Sequence, residues 1–194
     1  MKIYDITQGF FSAPPYEDDP KAILDTIKNI DNDGYKLSRV SAVVHTATHA
    51  DAPSHFLNGA DSIDKMPLDL YIGVCSVVTV NSKLTAEDIK ELLLYSRNRL
   101  LLRGKQSAFL TAEAAEFIKK EQLVLIGTEA NSIGDGDETA IVHKTILNKG
   151  IAILENLDLS TVKDGDYFLF APPIKMEGLE GAPVRAVLLQ SDWS

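Results

Sequence analysis

Apolar residues fall along this chain in short runs separated by turn-forming residues, and the runs differ in period. Lys2–Thr7, rich in Ile and Tyr, predicts a first strand. Gln8–Pro20 has no period and carries Pro14, Pro15 and Pro20, which predicts a long loop. Ala22–Ile30 is ambiguous: Ile23, Leu24, Ile27 and Ile30 fit a helix, while the strand pattern is imperfect. Asp31-Asn32-Asp33-Gly34 is a turn signal, and Tyr35–Val44 predicts a strand after it. Tyr71–Val80, rich in valine, predicts a buried strand. Thr85–Tyr95 and Thr111–Lys120 predict helices, each opened by a capping threonine, with Glu87 and Asp88 in the first turn of the earlier one. Arg99–Arg103, Leu123–Gly127, Ile151–Leu154 and Tyr167–Ala171 predict strands, and His143–Lys149 a short helix closed by Gly150. Alternating strands and helices make the chain α/β. Neither an internal repeat nor a long interior linker divides it, so residues 1–194 are expected to form one domain.

Composition adds exclusions. A net charge of −9 argues against a nucleic-acid surface. No apolar run has the length of a membrane span, and the N-terminus does not read as a signal peptide. The expected location is the cytoplasm. Cys75, the lone cysteine, lies in an apolar run and is expected to be a small core residue.

The candidate chemistry is concentrated in one stretch. Three of the four histidines fall between His45 and His55, in the order His45-x3-His49-x-Asp51-x3-His55. Imidazole nitrogens and a carboxylate oxygen are ligands for a zinc-like cation. A straight strand would hold residues four apart at roughly 13 Å, too far to share an ion with bonds of about 2 Å. The segment is therefore expected to bend near Ala47, after a strand ending near Val44. A helix is disfavoured by Thr46, Thr48 and Pro53.

The stretch resembles the signature His-x-Gly-Thr-His-x-Asp-x-Pro-x-His of the cyclase-like metal-dependent hydrolases, the family of bacterial kynurenine formamidase and isatin hydrolase. Ala47 stands where that family has glycine. The resemblance continues with His143 twelve residues before Glu155-Asn156-Leu157, and with Gly181-Ala182-Pro183-Val184-Arg185-Ala186 near the end. Glu129 departs from it, standing where aspartate is usual.

The resemblance implies an α/β fold with a mixed, barrel-like sheet and flanking helices, of the swivelling β/β/α type. It implies two divalent ions, zinc first and manganese second. His45, His49 and Asp51 would hold one; Asp51, His143 and Glu155 would hold the other. His55 would remain free for proton transfer. The implied reaction is hydrolysis of an amide-type C–N bond, in the first place an arylformamidase converting N-formylkynurenine to kynurenine and formate in tryptophan catabolism. The alternatives are a cyclic amide such as isatin or another carbonyl substrate, and a metal-stabilised binding module without turnover. The implied partners are an aromatic small molecule and further copies of the chain, as a homodimer or larger homo-oligomer. Phe10, Phe11 and Tyr16 of the long loop could clamp a flat ring or plug the core.

Overall fold

The computed structural model of the chain describes residues 1–190. In chain order, β1 (Lys2–Asp5) is followed by a hairpin of β2 (Ile23–Lys28) and β3 (Leu37–Ser41), closed by the one-turn α1 (Ile30–Asp33). The short strand β4 (His49–Asp51) precedes the long β5 (Ile72–Thr79). Then α2 (Ala86–Leu93), β6 (Arg99–Arg103), α3 (Ala112–Ile118), β7 (Leu125–Thr128), α4 (Thr139–Asn148) and β8 (Ala152–Glu155) alternate. The chain finishes with β9 (Gly165–Phe170), β10 (Gly181–Pro183) and β11 (Val187–Gln190).

Nine strands form one curled sheet, in the order β1-β11-β9-β5-β6-β7-β8-β4-β10. The middle strands β5 to β8 are parallel, and every outer pairing is antiparallel. A parallel strand needs a crossover, and α2, α3 and α4 supply the three here. Thr85 caps α2 by accepting the Asp88 N–H, while the Asp88 carboxylate accepts the Thr85 N–H. Such a cap stabilises by about 1 kcal/mol.

The two faces of the parallel strands bury different sets. On β6, Leu100 and Leu102 pack among Ile89, Ala114, Ile118 and Ile146, the helix side. Leu101 between them joins Cys75, Leu125, Leu154 and Leu188 inside the curl. Burying a leucine completely contributes about 1.5–3 kcal/mol. Burial on both faces explains why these strands read as continuous apolar runs.

The hairpin is the arrangement that the Asp31–Gly34 turn favours over a helix. The strand before the histidines ends earlier than expected, at Ser41, and the segment returns to strand geometry at His49–Asp51. Between the two, Ala47 turns the chain with φ of +56°. Left-handed backbone costs a non-glycine residue about 1–2 kcal/mol, against about 0.5–1 kcal/mol of entropy that glycine would lose. Ala47→Gly should therefore gain about 0.5–1 kcal/mol. That would raise Tm by about 1–4 °C in a thermal melt. A lowered Tm would mean that the alanine methyl packs better than its backbone is strained.

Candidate metal centre

Three elements converge where β4 meets β8. The antiparallel register sets His49 opposite Glu155, and Ala50 opposite Leu154. His49 and Asp51, two apart on one strand, point to the same side, where Glu155 joins them. The Ala47 bend brings His45 back over the same side, so that its Nδ1 lies 3.1 Å from Asp51 Oδ1. On the other flank β10 pairs with β4, placing Gly181 beside Asp51. A Cβ on Gly181 would sit 2.9 Å from the His45 ring and 3.0 Å from the Ala50 carbonyl, so the close approach requires glycine.

His143 arrives from α4. The helix begins at Thr139, so His143 lies inside it and not at its start as the sequence suggested. The turn Gly136–Glu138 leads straight into the helix, whose first four residues, Thr139–Val142, precede the expected start. His143 Nδ1–H donates to the Thr139 carbonyl at 2.8 Å, which turns Nε2 towards Glu155 Oε1 at 3.0 Å and Asp51 Oδ2 at 3.4 Å. His49 is oriented in the same way. Its Nδ1–H donates to the Ala47 carbonyl at 2.8 Å, leaving Nε2 3.4 Å from both Asp51 Oδ1 and Glu155 Oε2. A backbone acceptor on one ring nitrogen fixes the tautomer and frees the other as a ligand.

Asp51 stands at the centre. One of its oxygens faces His45 and His49, and the other faces His143. Ligand atoms of His45, His49 and Asp51 lie within 4.8 Å of one another, and so do those of Asp51, His143 and Glu155. Asp51 is 0% exposed and Glu155 4%, so both carboxylates are withdrawn from solvent. Burial raises a carboxyl's pKa, but contacts with His143, His45 and His49 hold Asp51 well below its ordinary range. Burial and the Asp51 charge raise Glu155, yet His143 and His49 outweigh them and lower it. Burial disfavours a proton on either imidazole, but the two carboxylates hold His49 and His143 up at about 10.

Two buried carboxylates require compensating positive charge, from protons on these rings or from metal ions. The residues fit metal. His45 Nε2, His49 Nε2 and both Asp51 oxygens are buried without a hydrogen-bond partner, a costly arrangement for a structural cluster and the ordinary one for ligands.

His55 belongs to neither group. Its ring stacks on His45 at 4.1 Å and meets Phe56 edge-on at 4.3 Å. It makes no ring hydrogen bond among the described residues, and burial, opposed by the Asp51 charge, pushes it below its ordinary pKa.

The four histidines and Glu155 line a cavity of about 440 Å³, a size that suits a small molecule; Asp51 lies buried behind them. Tyr16 of the long loop is on its wall, with its phenol raised by burial. Phe10 and Phe11 are not. They pack edge-to-face on each other, Phe11 half exposed and Phe10 on the wall of a different cavity, which Ala47 and Arg185 also line. Phe56 supplies a ring that sequence reasoning missed: it lines the cavity and stacks on His143 at 4.5 Å. Its position directly after His55 was the available signal.

The loop after β7 also acquires roles. The Glu129 carboxylate accepts N–H groups from Gly104, Lys105 and Leu159, tying three segments together. Ile133 N–H donates to Glu155 at 2.7 Å, and Asn131, Ser132 and Thr139 line the cavity.

Comparison with known proteins gives a consistent family. Residues 4–135 match the family described as "Putative cyclase". The chain is 33% identical to a kynurenine formamidase of Bacillus cytotoxicus, over 78% of this chain and 79% of that protein. It superposes on a "predicted metal-dependent hydrolase" of Bacillus stearothermophilus with a TM-score of 0.83 and 31% identity, covering 96% of this chain and 97% of that one. Isatin hydrolase A of Labrenzia aggregata shares the fold, with a TM-score of 0.82 at 23% identity over 98% and 94% of the two chains.

Proposed function

The chain belongs to the cyclase family, and from that premise we propose that it is a two-metal hydrolase of aryl formamides, with N-formylkynurenine as its substrate. The observation that carries this reading is the Asp51 carboxylate, buried and turned by one oxygen to each of two ligand groups whose other members line the cavity. His45, His49 and Asp51 would hold one ion, and Asp51, His143 and Glu155 the other. Mixed imidazole and carboxylate donors suit zinc, with manganese as the second choice. Divalent ions bound there supply Lewis acidity, lowering the pKa of water and polarising a carbonyl.

The chain's own residues do the rest. The Ala47 and Thr139 carbonyls orient the two imidazoles before any ion binds. Phe56 and Tyr16 offer faces to an aromatic ring and exclude water from it. His55, unbonded and open to the cavity, takes a proton from the attacking water and delivers it to the leaving nitrogen. Water adds to the formyl carbon, the C–N bond breaks, and the products are the aryl amine and formate. An aniline nitrogen leaves more readily than an alkyl amine, so one imidazole suffices. We also assign the chain a homo-oligomeric state.

The test is the ratio of kcat/KM for N-formylkynurenine to that for an aliphatic formamide of similar size. Preference for the aryl substrate by tenfold or more is expected. A ring contact by Tyr16, about 0.5–1.5 kcal/mol, predicts a loss of about 2–12-fold in that preference in Tyr16→Ala. Equal wild-type values would remove the aryl-formamide assignment. A preference untouched by Tyr16→Ala would leave Phe56 as the ring platform.

A further inference from the structure

Backbone carbonyls orient two of the three ligand imidazoles, but not the third. His49 and His143 each donate an Nδ1–H to a main-chain oxygen at 2.8 Å and turn Nε2 to the carboxylates. His45 is turned the other way round. Its Nδ1 lies 3.1 Å from Asp51 Oδ1, in the ligand group that it forms with His49. Its Nε2 is buried and has no hydrogen-bond partner. A neutral ring that offers Nδ1 to an ion carries its hydrogen on Nε2, and a buried N–H needs an acceptor.

One acid faces that nitrogen. Glu180 Oε1 lies 3.9 Å from His45 Nε2, and the Glu180 carboxylate has no hydrogen bond and no other ion pair among the described residues. The main chain fixes where this acid stands. The Glu180 carbonyl accepts the Ala52 N–H at 2.8 Å, and the next residue, Gly181, pairs with Asp51. The pairing that sets Asp51 in the centre therefore also sets Glu180 against His45. The gap of 3.9 Å is wider than a hydrogen bond. It is too narrow for a bridging water, which needs about 4.5 Å or more. His45 is stacked under His55 with its side chain 17% exposed, whereas that of Glu180 is 43% exposed. Rotation of the glutamate closes the gap.

We propose that Glu180 is the positioning residue of His45: it accepts the Nε2–H and so makes Nδ1 the atom offered to the ion. The inference rests on the two-metal reading above and makes the two halves of that centre unequal. The group of Asp51, His143 and Glu155 is oriented by main-chain atoms, the Thr139 carbonyl and the Ile133 N–H. The group of His45, His49 and Asp51 depends in part on a side chain at the cavity wall. A carboxylate on the far nitrogen of a ligand imidazole fixes its tautomer and raises its basicity towards the metal.

Long-range ¹H–¹⁵N NMR of the zinc-loaded full chain reads which nitrogen of each histidine carries hydrogen. His45 is expected with hydrogen on Nε2, and His49 and His143 with hydrogen on Nδ1. Competition with a chromogenic chelator reads the affinity for each ion. Glu180→Gln and Glu180→Ala should each weaken one of the two ions by about 10–100-fold, the usual scale for losing such a partner, and leave the other unchanged. Glu177→Gln removes the same charge from the same exposed segment and should hold both ions as the wild type does. Glu180 lies in neither core, so circular dichroism should not change; the NMR reading of the wild type tests the proposal even if a variant misfolds. A wild type that takes up no ion would remove the two-metal reading, and this role with it. A loaded wild type with His45 bound through Nε2 would overturn the role of Glu180 alone. So would Glu180 variants that keep both affinities, or a Glu177→Gln variant that loses as much.

Discussion

Replacing Asp51 by asparagine is expected to remove bound divalent metal and hydrolysis together. The substitution keeps the shape and discards the charge. Asp51 is fully buried, and its two oxygens serve both candidate ligand groups. An amide would offer one neutral oxygen and would turn an NH2 towards either His143 or His49, at contacts now of 3.4 Å. Neither ion would then have its shared carboxylate. Protein reconstituted with zinc or manganese should carry up to two ions per chain by elemental analysis, and Asp51→Asn none in stoichiometric amount. Losing several kcal/mol of electrostatic stabilisation lowers turnover at least about 10³-fold. Chelation of the wild type should mimic the substitution and be reversed by added metal. Full metal content in Asp51→Asn would show that the two groups do not share this carboxylate.

The sequence was legible where chemistry is local and poorly legible where direction matters. His45, His49 and Asp51 could be placed together because distance along a strand forbids sharing an ion without a bend, and Ala47 makes that bend. Glu155 was different: as a lone carboxylate after four apolar residues it reads as solvated, and only its register opposite His49 buries it. The long loop has no period, so nothing in it could tell that Tyr16 lines the cavity beside the histidines while Phe10 lines a different one. The helix bearing His143 began earlier than its apolar pattern because Thr139–Ala140 continues directly from the preceding turn. Of the hairpin strands, Tyr35–Val44 was readable as a strand, whereas Ala22–Ile30 fitted a helix as well. That their apolar residues face outwards was not readable, since alternation does not say whether the covering surface belongs to the same chain.

His55→Ala should separate proton transfer from metal binding. His55 is absent from both ligand groups, although its ring lies only 4.1 Å from that of His45. Removing it leaves the carboxylates and the backbone-oriented imidazoles untouched, because His49 and His143 are held by the Ala47 and Thr139 carbonyls. Metal content should therefore equal that of the wild type. Turnover of N-formylkynurenine should fall by about 10²–10⁴-fold, the usual scale for a positioned acid–base group. The loss should appear in kcat more than in KM, since the imidazole acts on protons in transit and not on the bound ring. A substrate with a better leaving nitrogen should lose less, because it needs less help from a donor. If His55→Ala releases metal as readily as Asp51→Asn, His55 is a ligand, and the proton must come from another group on the cavity wall. If metal stays and turnover is unchanged, protonation of the leaving nitrogen does not pass through this ring.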